Sequence, residues 1–200
     1  MQFQVVQILF WLAVATWFGA VLFVVVAAPV IFRTIRDANP ILPNVLSVNL
    51  EHQHGTLLAG NIVGNLLAHL RWVQAACALL LFGTLIAQVF TIDLSGPNGT
   101  AALVRAGLLI AAAGLLAVDW AYLAPRVARH RQEYLDHADD PDVANPAKER
   151  FDEQHRRSVS VLQALLFCLL GLILFGAVVA PKSRGMPIHV PPAPPIQDNR

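Results

Sequence analysis

The sequence predicts an all-α, integral-membrane four-helix bundle with polar helix extensions on one side and a disordered, Pro-rich C-terminal tail. Two observations carry that prediction. Of 200 residues, 56% are hydrophobic and only 14% are charged, too apolar for a soluble domain, in which charged residues approach about a quarter of the chain. The surplus is also concentrated: residues 1–32, 72–92 and 158–181 carry no Asp, Glu, Lys or Arg. Each run exceeds the roughly 18–20 residues that a helix needs to cross a ~30 Å hydrocarbon core.

The first span is expected over residues 5–32. It carries Trp11 and Trp17 among aliphatics, Gly19 as a close-packing point, and Pro29 as a kink or stop. It starts without a basic segment and is too long for the apolar region of a signal peptide, so it reads as a retained helix. A connector with Pro40 and Pro43 follows. Glu51, His54, Asn61, Asn65 and His69 then fall at steps of 3, 7, 4 and 4, one helical stripe. A polar stripe beside Gly60 and Gly64 suits a helix packed closely on another, or one lying at the membrane surface, ahead of a second span over 72–92.

Turn formers over residues 93–99 close a short hairpin. The third span, 100–124, contains Arg105 and Asp119. Fourteen positions separate them, about 21 Å of helix, so both are expected at interfaces, with Arg105 snorkelling outward and Trp120 and Tyr122 forming an aromatic belt. Pro125 marks an end or kink, and 126–137 a polar helical extension. Asp139, Asp140, Pro141 and Asp142 read as a break, with Asn145-Pro146 as the N-cap and first turn of a helix whose membrane span is 158–180. Residues 1–180 thus form the membrane domain. The tail, 181–200, holds six of the thirteen prolines and no core.

Ten of the fourteen basic residues, from Arg33 to Arg157, fall on the side of the first and third connections, against Arg105, Lys182, Arg184 and Arg200 on the other. The positive-inside rule puts the long connections in the cytoplasm of an inner-membrane protein and both termini outside. A net charge of +1 with no basic stripe argues against nucleic acid. Cys77 and Cys168 sit alone in apolar runs, as small hydrophobes. No nucleophile motif or phosphate-binding glycine loop occurs.

Trp17 to Phe23, Ala28-Pro29 through Phe32-Arg33, Ala121 to Pro125-Arg126, and Arg150-Phe151 through His155 to Ser158 together resemble a bacterial family, domain of unknown function 4149, related to the eukaryotic transmembrane protein 205. The resemblance covers most of the chain in order and implies four membrane helices with no settled activity. The chain departs from it where the family has Gly after the His and Asn four positions after the Ser; here stand Arg156 and Leu162. It departs again at Glu51–His54 and the Asn61/Asn65/His69 stripe, where relatives carry an aromatic, proline-bearing turn.

The expected function is binding, transport accessory or scaffolding, not catalysis, with lipid as the certain environment and a homodimer permitted by the glycine-lined faces. No cofactor is expected. The alternative is a metal-dependent membrane oxidoreductase. Glu51 with His54 and Asp152 with His155 are each a carboxylate and an imidazole at i, i+3, the pattern from which di-metal bundle sites are built. Such sites need further carboxylates, for which Glu133, Asp136 and Asp119 are the candidates. Haem ligation by His54 or His69 is the weaker variant, since the other helices offer no histidine within their spans.

Overall fold

The computed structural model describes residues 2–42, 53–90 and 97–177. Among them are helices α1 (Gln2–Ala38), α2 (His54–Val89), α3 (Pro97–Val118), α4 (Ala124–Asp136) and α5 (Pro141–Gly176), with a π-helical turn, Asp119–Leu123, joining α3 to α4. The α3–π–α4 rod therefore counts as one long element, and four such elements are long and apolar enough to cross a membrane. At 1.5 Å per residue the 36-residue α2 is about 54 Å long, so it reaches well beyond a ~30 Å core.

Boundaries are set by local chemistry. Pro29 lies within α1 without ending it, correcting the expectation of a stop near Phe32. The helix closes instead at Asn39, whose φ of 44° is the left-handed conformation that Asn tolerates after a helix, and whose N–H donates to the Arg36 carbonyl at 3.1 Å. Residues 54–71 are continuous with the second span in one helix, α2, which favours the continuous over the surface reading for them; residues 45–52 of that stretch lie outside the described residues. α5 starts five residues before Pro146. The Asp140 side chain accepts from Asp142 N–H and Pro141 occupies the first turn, so the cap-plus-proline signature operates at Asp140-Pro141 and Pro146 is carried inside the helix. Pro125 neither ends nor restarts the third rod. It has no N–H for the Ala121 carbonyl and its ring crowds that oxygen; the preceding turn widens to π geometry and the rod continues.

In the ring of helices α1 lies between α2 and α5, and α3 between α2 and α5, so each helix runs antiparallel to its neighbours and α1 faces α3 across the centre. The central core is an i, i+3, i+4 stripe from each: Phe10, Val14, Trp17 and Val21 of α1, Leu81 of α2, Leu109 of α3, and Leu165, Leu169 and Leu172 of α5. The outside is equally apolar. Leu79, Leu103 and Phe167 are each more than 70% exposed; in water such a surface would aggregate, and in a bilayer it meets acyl chains. The protein is an integral membrane four-helix bundle.

Two glycines mark close approaches. A Cβ on Gly55 would lie 3.1 Å from the Arg36 Cα and 3.3 Å from the Ile35 carbonyl oxygen, so α1 and α2 touch backbone to backbone where they converge. A Cβ on Gly176 would lie 2.7 Å from Phe10. Gly19 has nothing within 4 Å of a Cβ and Gly64 likewise; neither acts as a packing point inside this chain.

Candidate functional site

At the level where the apolar spans give way to polar extensions, Asp119 binds three helices together. The Arg71 Nε of α2 donates to Asp119 Oδ2 at 2.9 Å, and the Ser158 Oγ of α5 donates to Oδ1 at 2.7 Å. Both carboxylate oxygens are used, and the two side chains of the ion pair are only 18% and 19% exposed. Asp119 is the first residue of the π turn, so the backbone irregularity and the buried charge coincide. Aromatic rings flank the layer. Trp72 and Trp120 meet edge-on at 4.8 Å, and the Arg126 guanidinium lies 3.6 Å above Tyr122, as expected of an interfacial belt.

Beyond this layer the extensions are cross-linked by polar groups. Arg131 Nη2 donates to the Leu57 carbonyl at 3.2 Å and Tyr134 Oη to Gln53 Oε1 at 3.0 Å, both joining α4 to the start of α2. Buried His54 accepts from the Leu42 N–H through Nδ1 at 2.6 Å. His130 pairs with Glu133 at 3.3 Å, and Arg150 of α5 approaches the same carboxylate at 3.9 Å. An open cleft of about 590 Å³ lies between α4 and α5 here, lined by Arg129, His130, Glu133, Asp136 and Arg150 among others.

The four sequence-derived metal candidates do not converge among the described residues. Glu51 lies outside them. His54 already uses Nδ1. Asp152 pairs with Lys148 at 3.3 Å, and His155 is exposed and stacked on Phe151, with ring centroids 5.8 Å apart. Among the described residues no group of three or more His, Cys, Asp or Glu is placed to hold a metal. Asn61, Asn65 and His69 do share one exposed face of α2, where the His69 ring donates to the Asn65 carbonyl at 2.8 Å.

The opposite end of the bundle holds a second polar group. Gln88 of α2 donates to Gln7 of α1 at 3.2 Å. Arg105 is fully buried, with its guanidinium carbon 4.0 Å from the centre of the Phe10 ring. Its Nε, Nη1 and Nη2 have no hydrogen-bond partner among the described residues. The expectation that Arg105 snorkels outward is thus corrected. It lies on the Ala101, Leu109, Ala112 stripe that α3 turns to the core, and its side chain reaches across the bundle to the diagonal helix.

The model of the family described as "Domain of unknown function (DUF4149)" matches residues 12–135. The chain belongs to the DUF4149 family. The DUF4149 match takes in Trp17, Gly19, Pro29, Phe32, Pro125 and Arg126 as well as Arg71, Arg105 and Asp119; Phe151, His155 and Ser158, which carry the resemblance in α5, lie beyond it. Neither the curated proteins nor the solved structures give a match. Sequence reasoning singled out Asp119 and Ser158 separately but missed their union, and missed Arg71, Gln7 and Tyr134 as partners. The signal that could have found the union was Arg71 itself, the one Asp, Glu, Lys or Arg between 54 and 89, in the middle of α2 and at the depth of Asp119.

Proposed function

We propose that this DUF4149 protein is a membrane-embedded binding or scaffolding component whose working surface is the cross-linked set of helix extensions beyond the Arg71–Asp119–Ser158 layer. The observation that carries the reading is the cleft between α4 and α5. Its α4 wall is tied to the start of α2 by the Arg131–Leu57 and Tyr134–Gln53 bonds, yet its lining is charged and open. A surface that is rigid in backbone and polar in side chain suits recognition of a polar partner. The ten-to-four bias of basic residues supports a cytoplasmic location for that surface in an inner-membrane protein, with both termini outside. The redox alternative is not favoured, because His54 and Asp152 are already engaged by neighbours.

Reporter fusions at Arg200 and within 137–140 test the orientation: activity of a periplasmic reporter at the first position and of a cytoplasmic reporter at the second is expected, and the reverse overturns it. A photo-crosslinking residue at Gln132 or Asp136 tests the surface. Protein adducts there in cells, and none at lipid-facing Leu103 or Phe167, are expected; equal yields at all four positions would sink the proposal. Metal analysis and an optical spectrum of purified protein address the redox reading, which would be revived by stoichiometric metal lost in both His54→Ala and His155→Ala.

A further inference from the structure

Charge along α4 is divided by depth. Arg126, Arg129 and Arg131 lie in its membrane-proximal part, while its two carboxylates, Glu133 and Asp136, follow toward the far end. Arg131 is committed to the Leu57 carbonyl and Arg129 lines the α4–α5 cleft. Arg126 does neither. Its guanidinium carbon lies 3.6 Å from the centre of the Tyr122 ring, four residues back along the rod, and it makes no hydrogen bond or ion pair among the described residues. A helical side chain leans toward the N-terminus of its helix, which here is the membrane side. Tyr122 belongs to the π turn that Asp119 opens, so the guanidinium is held within about one helical turn of the Arg71–Asp119–Ser158 layer, beside the level of the Trp72–Trp120 pair. On the membrane side of it the surface is apolar and uncovered: Val118, four residues before Tyr122, is exposed, as is Trp72 of α2. Arg126 is therefore a cation at the boundary where acyl chains give way to headgroups. Tyr122 covers one face of its plane, and the edge, where all five N–H groups point, is left for an acceptor.

We propose that the Tyr122–Arg126 pair is a headgroup site for one anionic phospholipid, its phosphate hydrogen-bonded to Arg126 and its chains lying against the exposed apolar surface around Val118. Depth sets the occupant. Four spans place a bilayer around this surface, and the groups that a bilayer presents at an aromatic belt are phosphates and glycerol esters. Charge sets the class of lipid: a guanidinium with no carboxylate of its own favours a head with net negative charge over one whose ammonium already offsets the phosphate. The Arg fork matches two phosphate oxygens at once, and stacking on Tyr122 holds its plane in place before the lipid arrives. The site uses no residue of the α4–α5 cleft and does not depend on the function proposed for it.

The test is native mass spectrometry of the full chain released from detergent micelles that hold equal amounts of dioleoyl-phosphatidylglycerol and dioleoyl-phosphatidylcholine, with and without inorganic phosphate. Retained phosphatidylglycerol is expected to exceed phosphatidylcholine by roughly fivefold, the ratio that one Arg contributes near an anionic surface, and inorganic phosphate is expected to leave that ratio unchanged. Arg126→Gln is expected to bring the ratio to unity. Tyr122→Leu, which keeps the charge and the apolar surface but removes the ring, is expected to lower it. Lys148→Gln, which removes an exposed charge on α5, is expected to leave it as it is. A ratio of unity in the unaltered protein, an unaltered ratio in Arg126→Gln, an equal fall in Lys148→Gln, or displacement of the lipid by inorganic phosphate overturns the proposal. Should Arg126→Gln fail to fold, Tyr122→Leu decides, since an unaltered ratio there is incompatible with a guanidinium held on the ring as the site.

Discussion

Removing the Asp119 carboxylate tests the reasoning most directly, because one side chain holds three helices. Two charges 2.9 Å apart attract by about 6 kcal/mol at an effective dielectric of 20, from 332/(εr). Most of that is offset by desolvation, since both side chains are largely withdrawn from solvent. A hydrogen bond to a charged group contributes a net of roughly 1.5–3 kcal/mol, and breaking a buried pair costs about 3–5 kcal/mol through the orphaned partner. Arg71 sits at the interfacial layer and can turn its guanidinium outward when freed. Asp119→Ala is therefore expected to destabilise the bundle by about 2–3 kcal/mol, below the buried-pair range, and Ser158→Ala by about 1 kcal/mol. Equilibrium unfolding in mixed dodecylmaltoside and SDS micelles, monitored by circular dichroism and by tryptophan emission from the adjacent Trp72–Trp120 pair, gives both values. A double-mutant cycle with Arg71→Ala isolates the pair and is expected to show a coupling of about 1–2 kcal/mol. Loss below about 0.5 kcal/mol in Asp119→Ala, the range of ordinary surface changes, would refute the idea that this residue ties the helices together.

Single contacts give further expected outcomes. Gly55→Ala places a methyl against the α1 backbone and is expected to cost about 1–3 kcal/mol, as overpacking does, measurable in the same titration. Gly176→Ala pushes on Phe10, which is also the ring over Arg105, and is expected to cost a similar amount, about 1–3 kcal/mol, in the same titration. Tyr134→Phe removes the bond to Gln53 and is expected to cost about 1 kcal/mol and to raise hydrogen exchange at the start of α2. Lys148→Ala breaks a pair in which both side chains are 48% exposed and should change stability by less than about 0.5 kcal/mol.

Three of the four spans were legible because charge is costly in lipid, so its absence over 1–32, 72–92 and 158–181 is a direct physical signal; the span at 100–124 was legible only because Arg105 and Asp119 are far enough apart to sit near opposite interfaces. Helix ends were less so. Asp140-Pro141 and Asn145-Pro146 both read as cap plus proline, and only the packing of α5 on α4 makes the earlier one the start. The stretch 53–71 was ambiguous because its Asn61, Asn65 and His69 stripe fits a surface helix as well as the outer face of a long one. The site was legible as residue types and not as pairs. Arg71 and Ser158 lie 48 and 39 positions from Asp119, and no periodicity along one helix reports contact between three.

Arg105 and Asp119 show why depth alone does not decide what an intramembrane charge does. They lie 14 residues apart on one rod, and either could reach an interface by length. Rotation about the rod axis does not separate them, since fourteen residues at about 100° each leave them only about 40° apart; what the neighbouring helices offer at each level does. Arg105 sits on the Ala101–Leu109–Ala112 stripe that faces the core, where the diagonal helix offers Phe10 and no hydrogen-bond partner is present among the described residues. The π turn that begins at Asp119 inserts extra backbone into the helix and rotates α4 relative to an uninterrupted α-helical continuation of α3. Pro125 makes that turn favourable by removing an N–H that a regular helix would need. One charge thus meets an opposite charge and a hydroxyl, and the other meets an aromatic face. The same element that locks the bundle at one layer carries, four turns away on nearly the same face, a buried cation whose nitrogens have no hydrogen-bond partner among the described residues.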